Sequence, residues 1–107
     1  AATKAVETID RAIDLAGPHP ALLDTKAVAL LRLGKAADAL PLLEEAAKAV
    51  VPDPRATFHL AWACLQLGQT DKARKHLDRA TREGLDRQPL TESDRQMLAK
   101  LTEDSRQ

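Results

Sequence analysis

A short phrase recurs in this chain with a period of 34 residues, and this recurrence limits the possible folds more than any other feature. Leu-Arg-Leu-Gly ends at Gly34, and Leu-Gln-Leu-Gly ends at Gly68. Aligning residues 20–53 with 54–87 gives nine identical pairs: Pro20/Pro54, Ala27/Ala61, Ala29/Ala63, Leu31/Leu65, Leu33/Leu67, Gly34/Gly68, Ala39/Ala73, Leu43/Leu77 and Ala46/Ala80. Repeats of this length are typical of stacked helical hairpins. The sequence therefore predicts an all-α protein.

Helix bounds follow from the apolar periodicity and from the residues that interrupt it. Val6, Ile9 and Ile13 recur at three- and four-residue spacing and predict a first helix over 3–16. By the same reasoning, with glycines and prolines as helix ends, further helices are expected over 20–33, 36–50, 54–67 and 71–83. Pro41 falls in the first turn of its helix or just beyond, where a missing N–H costs little. Thr91 to Asp94 form a capping signal before a last helix over 90–101.

The two units resemble the tetratricopeptide repeat, a 34-residue helix-turn-helix family with small residues at fixed positions. The small positions match in both units, whereas Leu23 and Thr57 replace the tryptophan of the family pattern. The resemblance implies one domain over 1–107, built as a right-handed α-solenoid. Residues 3–16 are then the second helix of a preceding repeat, 20–53 and 54–87 are repeats, and 90–101 is a capping helix. The chain is then the C-terminal part of a longer repeat protein. The alternative fold is a helical bundle with accidental self-similarity.

Composition excludes several classes of partner. The 16 basic and 16 acidic side chains give a formal charge of zero, so no overall field attracts nucleic acid or an anionic membrane. No run approaches the roughly 20 apolar residues of a membrane span. We therefore expect neither nucleic acid nor membrane as a partner.

The sequence offers little for catalysis. None of the three histidines, His19, His59 and His76, has another at the i, i+4 spacing of a helical metal site. Cys64 lies five residues after His59, about 140° around a helix, so the two cannot form a nucleophile and base pair locally. The glycines are isolated helix ends rather than a phosphate loop. We expect no enzymatic activity, no cofactor and no metal.

The family resemblance implies a binding scaffold whose first helices line a concave face. We therefore expect a peptide or protein partner there, bound by residues of the groove-facing stripes: Asp24, Val28, Leu31, Arg32, Arg55, Phe58, His59, Trp62, Leu65 and Gln66. Some members of the family hold acidic chaperone C-termini with lysines and asparagines. This chain has no asparagine, and Asp24 and Phe58 stand where a lysine would help, so that ligand is disfavoured.

The two aromatic residues of the chain, Phe58 and Trp62, lie four residues apart and share a helix face. Two interpretations are open. Either the pair packs in the core beneath the last helix, through Met97 and Leu98, or it stays partly open as an anchor for a partner side chain.

The sequence indicates two further surfaces, one basic and one apolar, that suggest a function. A basic strip lies on the 71–83 helix, and it is either a solvated outer face or a contact for phosphate or an acidic protein; its residues are Lys72, Arg74, Lys75, Arg79 and Arg82. The apolar stripe of the first helix, with Val6, Ile9 and Ile13, would be an open edge if a preceding repeat is missing. Homo-oligomerisation is therefore the second function predicted.

Overall fold

The computed structural model describes residues 2–51 and 53–105, which form six α-helices and one short 3₁₀ helix. The helices are α1 (Ala2–Ala16), α2 (Pro20–Arg32), α3 (Ala36–Ala46), α4 (Pro54–Gln66), α5 (Thr70–Arg82) and α6 (Glu92–Ser105), and the 3₁₀ helix is Leu85–Arg87. Among these residues there is no strand, and the predicted all-α class is confirmed.

The helices form two hairpins in series, α2 with α3 and α4 with α5. Helix α1 packs on α2, and α6 packs on α4 and α5. Helix α4 is central, since it contacts α2, α3, α5 and α6. The resulting body measures 42 × 28 × 23 Å, as expected for hairpins stacked along one direction.

The bends of the two hairpins have the same geometry. Gly34 and Gly68 have φ values of +74° and +76°, in the left-handed region that favours glycine. After Gly34, the N–H of Lys35 donates to the carbonyl of Leu30 at 2.9 Å, and the equivalent bond in the second hairpin is 2.8 Å long. This bond between the residue after the glycine and the third-last helical residue is a Schellman cap. The predicted bends are therefore confirmed.

Small side chains let the helices approach closely. Seven of the eight alanines that the two units share are at most 4 % exposed: Ala27, Ala39, Ala46, Ala61, Ala63, Ala73 and Ala80. Leu43 and Phe58 are completely buried beside them. Because a larger side chain at these positions would separate the helices, the alanines set the hairpin spacing.

Helix α3 ends earlier than predicted, while Pro41 lies just beyond the first turn. It stops at Ala46 rather than Val50, and residues 47–51 form turns and bends. Val50 is 99 % exposed, so a further helical turn would bury nothing, and Pro52 disfavours helical geometry at residue 51. Pro41 is the sixth residue of α3, beyond the first turn, where it removes one helical hydrogen bond.

Helix α6 begins with the predicted capping signal. The N–H of Asp94 donates to Thr91 Oγ1 at 3.0 Å, and the N–H of Thr91 donates to Asp94 Oδ2 at 3.4 Å. This reciprocal pair is a capping box with aspartate in place of glutamate. The helix starts at Glu92 and reaches Ser105, beyond the predicted end at 101. The 3₁₀ helix before it, which buries Leu85, was not predicted.

Candidate functional site

His59 on the central helix is buried and contacts a carboxylate at each ring nitrogen. Its Nδ1 lies 2.7 Å from Asp24 Oδ1 on α2, and its Nε2 lies 3.0 Å from Asp94 Oδ1 on α6. An ionised carboxylate only accepts hydrogen bonds, so a doubly protonated imidazole donates to both aspartates. The ring thereby joins α2, α4 and α6 through one network.

The charge state of this network follows from its surroundings. Burial alone would lower the pKa of His59, but hydrogen bonds to Asp24 and Asp94 and attraction to both carboxylates outweigh burial and raise that pKa to about 9. Burial opposes ionisation of Asp94 as well, yet the bonds from His59 and Thr91 leave the pKa of Asp94 below its usual value. At neutral pH the network is therefore an imidazolium between carboxylates.

The contacts between α2, α4 and α6 on this face join residues that are 35 positions apart in the sequence. Asp24 and His59 are 35 residues apart, and so are His59 and Asp94. The side chain of Gln66 donates to the carbonyl of Leu31 at 2.9 Å with the same spacing. The contacts between α2 and α4 therefore join residues that are one repeat plus one residue apart. The contact between α4 and α6 has the same offset.

A depression of about 350 Å³ adjoins the His59 network. Five of the residues predicted to bind a partner line it: Asp24, Val28, Arg32, Arg55 and His59. The other lining residues are Ala5, Ala21, Thr25, Ala29, Asp53, Thr91 and Asp94. The depression combines small apolar side chains with fixed polar groups, as peptide and ligand sites do.

A second depression of about 490 Å³ lies beside the first, and Arg32 lines both. Trp62 of α4 lines it, together with residues of α6: Ser93, Gln96, Met97 and Lys100. Its lining includes two cationic side chains and no carboxylate. We call the surface that holds the two depressions the α2–α4–α6 face.

The aromatic pair does not form an open platform on this face. Phe58 is 0 % exposed and Trp62 is 4 % exposed, so the open interpretation is wrong for Phe58 and leaves Trp62 only an edge. Met97 and Leu98 of α6 pack against the same core, as the buried interpretation expected. Phe58 and Trp62 are buried because of the hydrophobic effect: packing α6 over α4 removes both rings from water.

The other predicted site residues are divided between core and surface. Leu31 is buried with Phe58, whereas Leu65 is half-buried and Gln66 is exposed. Trp62 Nε1 is a buried nitrogen with no hydrogen-bond partner among the residues that the structure describes. Most buried polar atoms are paired, so this indole is unusual.

Sequence reasoning missed two acidic residues of the face. Asp53 caps α4 by accepting from the N–H of Arg55 at 2.9 Å, and it lines the first depression. Asp94 was recognised as part of a capping signal but not as a partner of His59. The signal that could have found it is the 35-residue spacing of Asp24, His59 and Asp94.

Neither His59 nor Cys64 has the surroundings of a catalytic base or nucleophile. Both nitrogens of His59 are held by carboxylates, so neither is free to accept a proton from a substrate. Burial raises the pKa of the Cys64 thiol, which disfavours the reactive thiolate. Among the side chains that the structure describes, no group of three or more metal-ligating residues is placed to hold an ion. Within residues 2–51 and 53–105, no helix has the length and apolar character needed to cross a membrane.

The chain matches the model of a known protein family. The family model described as tetratricopeptide repeat matches residues 25–87, which is more than half of the 107 residues. No curated protein and no solved structure matches the chain. The matched segment includes most of α2 and all of α3, α4 and α5.

Proposed function

Because the chain belongs to the tetratricopeptide repeat family, we propose that it is a protein-interaction module that binds a peptide segment of a partner on its α2–α4–α6 face. Repeats of this family generally mediate protein–protein interactions and are typically non-catalytic. The family resemblance assigns the concave surface to first helices, which here are α2 and α4, with α6 as the capping helix.

The observation that carries this proposal is the clustering of five predicted residues around one depression. Val28 supplies a half-buried apolar wall, and Arg32 supplies an exposed cation at the boundary of the two depressions. Such a surface suits an extended peptide. A small apolar side chain of the peptide packs against Val28, while Arg32 binds a backbone carbonyl or a carboxylate of the peptide.

The His59 network makes this face rigid before a partner arrives. Asp24 and Asp94 are each held by a charged hydrogen bond, and Asp94 is also fixed by the capping box. A surface that is already ordered loses less conformational entropy on binding, which favours affinity. We therefore assign the network a positioning role and assign the contacts with the partner to Val28, Arg32 and Arg55.

The test is selection of a random octapeptide display library on the chain, followed by binding assays with single variants. Val28→Glu and Arg32→Glu are each expected to weaken one class of the selected peptides at least tenfold, which is about 1.4 kcal/mol. Arg11→Glu is the matched control, since Arg11 is exposed on α1 and lines neither depression. A selection in which every peptide binds both variants as tightly as it binds the unaltered chain would contradict the proposal.

Homo-oligomerisation remains the second candidate, and one observation favours it. Leu15 of α1 is 90 % exposed, and Ile9 and Ile13 of the same helix are only half-buried. Sedimentation over a dilution series tests it. If α1 is an interface, a dimer should dissociate when Ile9 and Ile13 are both replaced by aspartate; a monomer at every concentration of the unaltered chain would exclude this candidate.

A further inference from the structure

A groove separates α3 from α5 and shares no lining residue with either depression of the α2–α4–α6 face. Both helices pack on α4, but no Cα atom of α3 comes within 8 Å of one in α5. The space between them is about 520 Å³. Its base is apolar and is formed by Leu40, Ala47, Leu60 and Cys64. We call this space the α3–α5 groove.

The rim of the α3–α5 groove is positively charged in a chain whose formal charge is zero. Four cations line it, Lys48, Lys72, Lys75 and Arg79, against one carboxylate, Glu44. Two of the four have carboxylate partners outside the lining: Lys48 Nζ lies 3.0 Å from Glu45 Oε2, and Arg79 Nε lies 3.1 Å from Glu83 Oε2.

Lys72 and Lys75 are the two rim cations without such compensation. Neither forms an ion pair with any residue in the described ranges. Both are exposed, and they are three residues apart on α5, so they project from neighbouring positions of one helix face. Their charges are therefore available to an acidic ligand.

His76 of α5 lines the same groove, and the charges around the groove shift the pKa of its imidazole. Partial burial lowers the pKa of His76, the positive charges of Arg79 and Lys72 lower it further, and Glu44 opposes them. The imidazole is consequently neutral at pH 7 and lies in a positive field. A carboxylate that entered the groove would reverse part of this effect and raise the pKa.

We propose that the α3–α5 groove binds an acidic segment of a partner protein in which an apolar side chain is flanked by carboxylates. The apolar side chain lies over Leu40 and Ala47, the two half-buried residues of the base, and the carboxylates meet Lys72 and Lys75. A peptide fits better than a nucleic acid for two reasons. Phenylalanine, tyrosine and tryptophan, the usual stacking surfaces for bases, are absent from the lining, and the apolar base with Leu40 and Ala47 suits an apolar side chain rather than a charged phosphate backbone.

The test selects peptides from the random octapeptide library and groups them according to which variant of the chain no longer binds them. We expect one class rich in aspartate and glutamate around an apolar residue. The double variant Lys72→Glu/Lys75→Glu should weaken this class at least tenfold, whereas Val28→Glu on the α2–α4–α6 face should leave it unchanged. Arg11→Glu/Lys35→Glu is the matched control, because it makes the same change in net charge at exposed residues that line neither the groove nor the two depressions.

A second readout is specific to the groove. Titration of the His76 ring by NMR should show a higher pKa in the presence of an acidic peptide from this class than in its absence. The proposal is overturned if no acidic class is selected, if the control double variant weakens that class equally, or if the pKa of His76 does not rise. It is also overturned if an eight-nucleotide oligothymidylate binds more tightly than the peptides and is lost with Lys72→Glu/Lys75→Glu.

Discussion

Replacing His59 by glutamine should reveal the charged network through the pH dependence of stability. The free imidazole has a pKa of 6.5, and the folded environment raises the pKa of His59 to about 9. Folding therefore favours the protonated ring. This stabilisation is fully present below pH 6.5 and is lost as the pH rises through about 9.

The magnitude follows from the two pKa values. A tenfold difference in proton affinity is worth about 1.4 kcal/mol, so the change from 6.5 to about 9 corresponds to about 3 kcal/mol. The free energy of unfolding of the unaltered chain should exceed that of His59→Gln by about 3 kcal/mol more at pH 6 than at pH 9.5. Removing the ring also leaves Asp24 and Asp94 without their shared partner, and this adds a cost that depends less on pH.

The assay is urea unfolding followed by circular dichroism at 222 nm, with both chains measured at intervals from pH 6 to pH 9.5. Taking the difference between the chains cancels the titration of Cys64, which both retain. In the unaltered chain Asp94 does not interfere strongly, because its pKa lies below the usual acidic value and any loss of its contribution occurs at lower pH.

A difference that stays constant from pH 6 to pH 9.5 would refute this reasoning. It would show that the buried ring is neutral, so that one ring nitrogen has no proton to donate to its aspartate. Asp94→Asn should remove much of the pH dependence as well, since it deletes one of the two carboxylates that favour the imidazolium. A full pH dependence in Asp94→Asn would assign the effect to another group.

Three smaller changes test the local account of the fold by urea unfolding. Gly68→Ala should lower the free energy of unfolding by about 1–2 kcal/mol, because the residue has a φ of +76°; no loss would mean that the bend can relax. Pro41→Ala should raise it by about 1–3 kcal/mol, since it restores a hydrogen bond inside α3, and a decrease would show that the ring contributes packing. Asp53→Ala should cost about 1 kcal/mol through loss of the α4 cap, while Asp53→Asn, which can still cap, should cost less.

The repeat made much of the fold predictable from sequence. The period located two hairpins, and the positions that are alanine in both units are all buried in the core. Gly34 and Gly68 end their helices with the same cap because glycine tolerates the left-handed conformation that this cap requires. These features depend on residues close in sequence, which is why periodicity and turn chemistry suffice.

The contacts between hairpins were harder to predict. Whether Phe58 faces a groove or the core depends on how α6 is placed over α4, and no local pattern specifies that placement. The partnership of His59 with Asp24 and Asp94 likewise depends on the rotation between neighbouring helices, which selects an offset of 35 rather than 34 residues. The end of α3 was predicted too late, because Val50 continues the apolar pattern without any surface to cover.

The most direct test of the proposed binding face is NMR mapping with a peptide whose binding is lost in Val28→Glu. Backbone amides are recorded while the peptide is added to the unaltered chain. The proposal predicts that the largest shift changes occur at Val28, Arg32 and Arg55, on α2 and α4, with smaller changes on the neighbouring part of α6. Changes that leave these three residues unaffected and concentrate on α1 or on α3 and α5 would contradict it.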